Sequence, residues 1–205
     1  MYNSLRPDWF YSYLEIPNLE KITEEMMQFH TSEIVSFATH NPFYRNVFRQ
    51  HMDESICPHT IEFLKSMKIY DKFERLLLSN GKTTAQAVHV DTYDPTRCQM
   101  SLNIPLEYCE GSYTAFYKSE RTVYNIGVPD NVEKARSNFA WLNLKEVKEV
   151  ARVELVRPMV VNTTVLHRGI HENPKRAICC FRFTPNLTYE DLQRLGIARP
   201  FEQVD

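Results

Sequence analysis

The sequence predicts a mainly β fold with flanking α-helices, and three observations indicate it. The chain has 205 residues with 43% hydrophobic and 12% aromatic content, which suits one globular domain with a sizeable core. Apolar residues recur at helical spacing up to about residue 80, whereas from Thr83 to Phe183 β-branched and aromatic runs alternate with turn signals. Several short strands of this kind are typical of an all-β barrel or sandwich.

Three helices are predicted before Thr83. The first covers about 18–32, the second follows Pro58, and the third is an apolar run from Phe73 to Leu78 that ends at Asn80-Gly81. No linker separates these helices from the β region, so we expect them to pack on a sheet rather than form a domain of their own.

The β region contains six predicted strands, and one helix follows it. The helix is predicted after Pro185, because Thr188-x-x-Asp191 resembles a capping box and Gly196 provides a stop. We therefore predict a single domain over 1–205, with a mostly helical buttress at 1–82, a β core at 83–184 and a C-terminal helix and tail at 185–205. The predicted strands are 83–93, 98–104, 113–117, 147–156, 158–166 and 176–183.

A histidine and an aspartate stand two residues apart in the apolar run Ala87-Val88-His89-Val90-Asp91. Residues i and i+2 of a β-strand point to the same face, so His89 and Asp91 would project together. An imidazole and a carboxylate suit a first-row divalent ion, and a second histidine would complete the two-histidine, one-carboxylate set of non-haem Fe(II) oxygenases. The pair therefore predicts half of a metal site.

Two histidines compete to complete this set. His167 ends the β-branched run that begins at Val160, whereas His171 falls in the loop that precedes Arg176. We favour His167 on this placement, and His171 remains the alternative.

The ordered pattern of His89, Asp91, His167 and then Arg176, nine residues after His167, resembles the Fe(II)/2-oxoglutarate-dependent dioxygenase superfamily. The resemblance covers roughly residues 85–184, about half of the chain. It implies a double-stranded β-helix, a jelly roll of the cupin-like kind, with the N-terminal helices packed on its larger sheet.

The resemblance also implies the cofactors and the reaction. His89, Asp91 and His167 would bind Fe(II), and the enzyme would use 2-oxoglutarate and O2 and release succinate and CO2. Relatives that halogenate lack the carboxylate ligand, so Asp91 points to hydroxylation, or to demethylation by way of hydroxylation. A free small molecule such as an amino acid is the expected substrate, since no polymer-recognition domain is evident.

Binding of 2-oxoglutarate is expected to involve arginine. Arg176 stands at a predicted strand start, where a guanidinium can bind a distal carboxylate through two parallel hydrogen bonds. Arg182, which shares a strand face with Arg176, is the alternative. Asn103 is a further candidate for contact with the co-substrate.

Composition and charge carry no signal for some other classes of protein. The net charge of −2 without runs of like charge gives no nucleic-acid footprint, and no stretch approaches the length of a membrane span. Five cysteines without CxxC spacing are expected to be reduced thiols, and the first residues lack a signal-peptide pattern, so a cytoplasmic enzyme is expected. The alternatives are a non-catalytic jelly-roll binding module and a cupin-like metalloenzyme that does not use 2-oxoglutarate. The oligomeric state has no signal in the sequence.

Overall fold

The computed structural model describes residues 10–31, 36–37, 44–80, 88–91, 100–119, 140–142, 144–184 and 187–197, which form two antiparallel β-sheets and three α-helices. The helices are α1 (Leu19–Thr31), α2 (Pro58–Ser66) and α3 (Tyr189–Arg194). The strands are β1 (Tyr11–Tyr13), β2 (Ser36–Phe37), β3 (Tyr44–Phe48), β4 (Phe73–Asn80), β5 (Val88–Val90), β6 (Met100–Glu107), β7 (Tyr113–Lys118), β8 (Ala140–Leu142), β9 (Lys148–Glu154), β10 (Met159–Asn162), β11 (His167–Ile170) and β12 (Ala177–Phe183).

The strands are not paired in chain order. The larger sheet runs β1-β10-β6-β12-β4-β3-β2, and the smaller runs β8-β5-β11-β7-β9, with every pairing antiparallel. Strands that are distant in sequence therefore lie side by side, as in a jelly roll. The prediction of a mainly β fold is confirmed.

Alternating side chains divide the core into layers. On β12, Cys179 and Phe181 belong to one buried cluster, and Ile178 and Cys180 belong to another. The second cluster also contains Phe116 of the smaller sheet, so it lies between the two sheets. Because strand residues alternate between faces, even-numbered positions of β12 point into this interior.

The first cluster joins the larger sheet to the helices. It includes Ile22, Met26 and Phe29 of α1 and Phe63 and Leu64 of α2, together with residues of β4, β6 and β12. Apolar positions of α1 thus share one buried core with the outer face of the larger sheet.

A buried carboxylate ties the two N-terminal helices together. Glu25 of α1 is 6% exposed and accepts hydrogen bonds from the backbone N–H groups of His59 and Thr60, each at 2.8 Å, and from the Thr60 hydroxyl at 2.6 Å. These N–H groups lie in the first turn of α2, where helical donors lack partners within the helix. Glu25 therefore supplies the cap for α2 from another element.

The predicted third helix is wrong. Residues 73–80 form strand β4, which pairs with β12 on one side and β3 on the other. Leu76 and Leu78 face the helix-side cluster, whereas Leu77 packs on the cluster between the sheets. A continuous apolar run suits a strand that is buried on both faces, and its periodicity does not distinguish it from a helix. Segment 1–82 thus contributes strands as well as helices.

Two strand boundaries also differ from the sequence prediction. Strand β6 continues through Pro105 to Glu107, and its pairing with β12 shifts register between Ala177 and Ile178, where Ile178 meets Pro105. Proline lacks the N–H that a ladder requires, which accounts for an irregularity at this point. The predicted strand 158–166 stops at Asn162, and a turn separates it from β11.

Other predicted elements are confirmed. Helix α1 falls within the predicted 18–32, α2 begins at Pro58, and α3 has the capping box of Thr188 and Asp191. Gly196 adopts a φ of +79°, a conformation that glycine takes without steric cost. Among the described helices, none is long and apolar enough to span a membrane.

Candidate metal centre

His89 and Asp91 reach the interior because strand β5 alternates. Val88 and Val90 are almost fully buried in a cluster on the far side of the smaller sheet, so His89 between them points into the space between the sheets. Asp91 follows the last residue of β5, and its backbone N–H donates to the carbonyl of Thr163 at 2.9 Å. The bond holds Asp91 against the turn that leads towards His167.

His167 lies directly opposite His89 across the β11–β5 pair. Their ring centroids are 4.5 Å apart, and the rings are inclined by 47°. One ligand atom from each of His89, Asp91 and His167 lies within 4.8 Å of the other two. Three side chains from two adjacent strands thus converge on one point.

A backbone carbonyl orients the His167 ring. His167 Nδ1 lies 2.8 Å from the carbonyl oxygen of Val165, and since a carbonyl can only accept, Nδ1 carries the proton. The lone pair then resides on Nε2. A ring nitrogen bonded to a carbonyl in this way is the usual support of a metal-binding histidine.

The two carboxylate oxygens of Asp91 have different partners. Oδ1 lies 3.5 Å from His89 Nε2, whereas Oδ2 accepts a hydrogen bond from Arg182 Nη1 on β12. Burial alone would raise the pKa of Asp91, but Arg182, His167 and His89 outweigh it and hold that pKa well below its ordinary value. Asp91 is therefore an anion at neutral pH, with Oδ1 turned towards the histidines.

Burial, assisted by His89, lowers the pKa of His167 to about 4, against the opposing effect of Asp91. His167 is thus neutral at pH 7, the form in which an imidazole binds metal. One anionic carboxylate and imidazole nitrogens within a few ångströms form a donor set that fits a divalent first-row ion. The residues present therefore suit the metal that the resemblance implies.

The competing histidine lies elsewhere. His171 follows β11, is 5% exposed and is absent from the convergent group. Burial and the guanidinium of Arg176 lower its pKa. Arg176 immediately precedes β12 and is also 5% exposed.

A polar strip crosses the inner face of the larger sheet. Asn103 of β6 is half-buried, pairs across the sheet with Cys180, and accepts a hydrogen bond from the Ser101 hydroxyl at 2.6 Å. Burial raises the pKa of Cys180, while Arg182 and Arg176 act in the opposite direction. The predicted co-substrate residues thus occupy one face, with Arg182 at the end that contacts Asp91.

Sequence reasoning missed several contributors to the site. The carbonyls of Thr163 and Val165 lie in the turn that was predicted as strand. Arg182 was considered only as an anchor for 2-oxoglutarate, although its partner is Asp91. The Asn162-Thr163-Thr164 sequence carried a turn signal, because the Asn162 side chain accepts from the Thr164 N–H at 3.1 Å.

Comparisons with known proteins bear on the fold. No family model matches the chain, and no curated protein matches it. Among solved structures, HygX from Streptomyces hygroscopicus, crystallised with nickel and 2-oxoglutarate, aligns with a TM-score of 0.50 and 9% identity over 89% of this chain and 86% of HygX.

Two further structures align with lower scores. A prolyl hydroxylase from Trichoplax adhaerens, in complex with a peptide fragment of hypoxia inducible factor, has a TM-score of 0.48 and 10% identity over 96% of this chain and 89% of its own. The epimerase SnoN, in complex with Fe3+, alpha-ketoglutarate and nogalamycin RO, has a TM-score of 0.46 and 9% identity over 84% of this chain and 78% of SnoN. Of these three alignments, the one with HygX has a TM-score of 0.50, and it shows that the two proteins share a fold.

This chain therefore has the fold of HygX, and within that fold His89, Asp91 and His167, three of the four residues that carry the sequence resemblance, converge on one point.

Proposed function

We propose that this protein is an Fe(II)- and 2-oxoglutarate-dependent dioxygenase, in which His89, Asp91 and His167 bind the iron. The convergence of these side chains within 4.8 Å carries the proposal. The fold shared with HygX, a protein crystallised with nickel and 2-oxoglutarate, supports the choice of co-substrate. Three protein ligands leave open positions on an octahedral ion, as this chemistry requires.

Arg176 is the proposed anchor for the distal carboxylate of 2-oxoglutarate. Its guanidinium is buried and can form two parallel charge-assisted hydrogen bonds. Arg182 is the alternative anchor, and its guanidinium bonds the Asp91 carboxylate. Asn103, between the two arginines on the inner face, is placed by this proposal beside the co-substrate.

Each residue then has a defined task. When bound, Fe(II) with 2-oxoglutarate and O2 supplies an oxidation that converts 2-oxoglutarate to succinate and CO2 and transfers the second oxygen atom into a substrate C–H bond. Asp91 provides the negative charge that favours a divalent ion, and the Val165 carbonyl keeps His167 in the tautomer with Nε2 available.

The proposed reaction is hydroxylation of a small molecule or an amino acid. Asp91 favours hydroxylation over halogenation, since a halide would need the position that a carboxylate ligand fills. The competing functions are a non-catalytic binding module and a metalloenzyme independent of 2-oxoglutarate. Neither would convert 2-oxoglutarate to succinate, so turnover of 2-oxoglutarate distinguishes them from the proposed dioxygenase.

The test is Fe(II)-dependent consumption of 2-oxoglutarate with matched release of succinate, measured anaerobically and in air with a panel of amino acids. We expect slow O2-dependent turnover by the wild-type protein, stimulation by the true substrate, and neither with Asp91→Ala. A protein that binds 2-oxoglutarate without turnover is a binding module. A protein that binds Fe(II) but not 2-oxoglutarate is a metalloenzyme that does not use 2-oxoglutarate.

The anchor is tested by direct binding of 2-oxoglutarate to the Zn(II)-loaded protein. Arg176→Ala should weaken binding more than Arg176→Lys, because lysine keeps the charge but loses the paired geometry. Zn(II) binding should survive both substitutions. Unchanged binding in Arg176→Ala, together with its loss in Arg182→Ala, would assign the anchor to Arg182.

A further inference from the structure

Arg75 lies on the inner face of β4, at the end that faces the candidate metal centre. Leu77 packs on the cluster between the sheets, so Arg75, two residues earlier on the same strand, points into the same interior. Its cross-strand neighbour on β12 is Arg182, whose guanidinium bonds Asp91. Two arginines thus stand side by side next to a predicted metal ligand.

The positive charge of Arg75 has no balancing carboxylate among the described residues. Like charges directly opposite each other in a sheet are destabilising, and Asp91 balances only one of them. Within the described residues, Arg75 has no side-chain hydrogen bond and no ion pair, and its Nε atom is buried without a partner. A buried donor left without an acceptor has a substantial free-energy cost, which a bound anion would remove.

The position is also separate from the proposed anchor for 2-oxoglutarate. Arg176 and Arg182 lie at opposite ends of β12, and at about 3.3 Å per residue their Cα atoms are roughly 20 Å apart. Phe48 of β3 flanks Arg75 on the side away from Arg182. An apolar wall beside a guanidinium strengthens its attraction for an anion by lowering the local dielectric.

We propose that Arg75, with Arg182 beside it, forms a second anion site near the metal, which holds a carboxylate or phosphate group of the substrate. This inference rests on the proposed function and narrows its substrate to an anion.

Inorganic phosphate is the probe, with binding measured by calorimetry on the full chain. The variants are Arg75→Gln, Arg75→Lys and, as a control with the same loss of charge, Arg152→Gln on the exposed face of β9. We expect phosphate binding to weaken about tenfold or more in Arg75→Gln, less in Arg75→Lys, and not in Arg152→Gln. Equal binding by the wild-type protein and Arg75→Gln overturns the proposal, and so does an equal loss in Arg152→Gln.

A second experiment distinguishes a site for the substrate from a site for 2-oxoglutarate. Phosphate titration is repeated on Zn(II)-loaded protein saturated with 2-oxoglutarate. Retained binding that depends on Arg75 supports a substrate site, whereas displacement by 2-oxoglutarate, together with weaker 2-oxoglutarate binding in Arg75→Gln, assigns Arg75 to the co-substrate and overturns the proposal. If 2-oxoglutarate does not bind at all while phosphate still requires Arg75, the anion site stands and the proposed function fails.

Discussion

Replacing Arg182 with methionine should destabilise the metal-free protein, because it leaves the Asp91 carboxylate without its cation. The Asp91 side chain is 5% exposed, and that of Arg182 is 23% exposed. Breaking a buried ion pair by removal of one partner costs about 3–5 kcal/mol. Since water reaches the guanidinium, we expect a smaller loss than this, about 2–3 kcal/mol, or a fall in Tm of about 5–10 °C for a chain of this size.

A bound divalent ion should reduce this loss. The ion attracts the Asp91 carboxylate in place of Arg182, so the variant gains more stability from metal than the wild-type protein does. By linkage, a protein that gains more stability from a ligand also binds it more tightly in the folded state. Arg182→Met should therefore show the larger Zn(II)-induced increase in the free energy of unfolding.

The assay is reversible urea unfolding, followed by tryptophan fluorescence, in chelator and in excess Zn(II). Arg152→Met is the control, because Arg152 pairs with Glu149 on the exposed surface, and such pairs contribute about 1 kcal/mol or less. Equal unfolding midpoints for Arg182→Met and the wild-type protein in chelator would refute the stabilising role of the pair. If Arg182→Met lost the same free energy of unfolding with and without Zn(II), the proposed contact between Asp91 and the metal would be refuted.

Two further predictions concern buried carboxylates outside the site. Glu25→Ala should destabilise the protein by about 1–3 kcal/mol in urea unfolding, since it leaves α2 donors buried without an acceptor, whereas the exposed Glu24→Ala should change little. Burial opposes ionisation of Asp191, but hydrogen bonds from Lys72 and Thr188 lower its pKa. The contribution of Asp191 to the free energy of unfolding is therefore full above the pKa of an unfolded aspartate, about 3.9, and is lost as the pH falls through the pKa of the folded state. The free energy of unfolding should therefore fall less steeply with decreasing pH in Asp191→Asn than in the wild-type protein. Parallel pH dependences of the two proteins would contradict this.

The sequence predicted the elements whose local signals agree with their tertiary surroundings. Helix α2 begins at a proline and α3 has its own capping box, so both boundaries are encoded within a few residues. The run that forms β4 lacks such signals. Its burial on both faces depends on strands that pair with it from distant parts of the sequence, and apolar periodicity could not reveal this.

The same limitation explains what was missed at the site. The spacing of His89 and Asp91 identified two groups on one strand face, because period two is a local property. The bond from Arg182 to Asp91 joins residues 91 positions apart, and the position of Arg75 depends on the strand that was predicted as a helix. If residues 73–80 are assigned as a strand, the alternation of side chains places Arg75 on the face opposite to that of Leu76 and Leu78.

Anaerobic Fe(II) titration of the His167→Ala and His171→Ala variants tests whether His167 is the third ligand of the proposed iron site. We predict one Fe(II) per chain for the wild-type protein and for His171→Ala, and loss of tight binding for His167→Ala, because His167 is the one of these two histidines that converges with His89 and Asp91. Circular dichroism of each variant checks that the fold is retained. Loss of iron in His171→Ala, with retention in His167→Ala, would contradict the assignment and require a different third ligand.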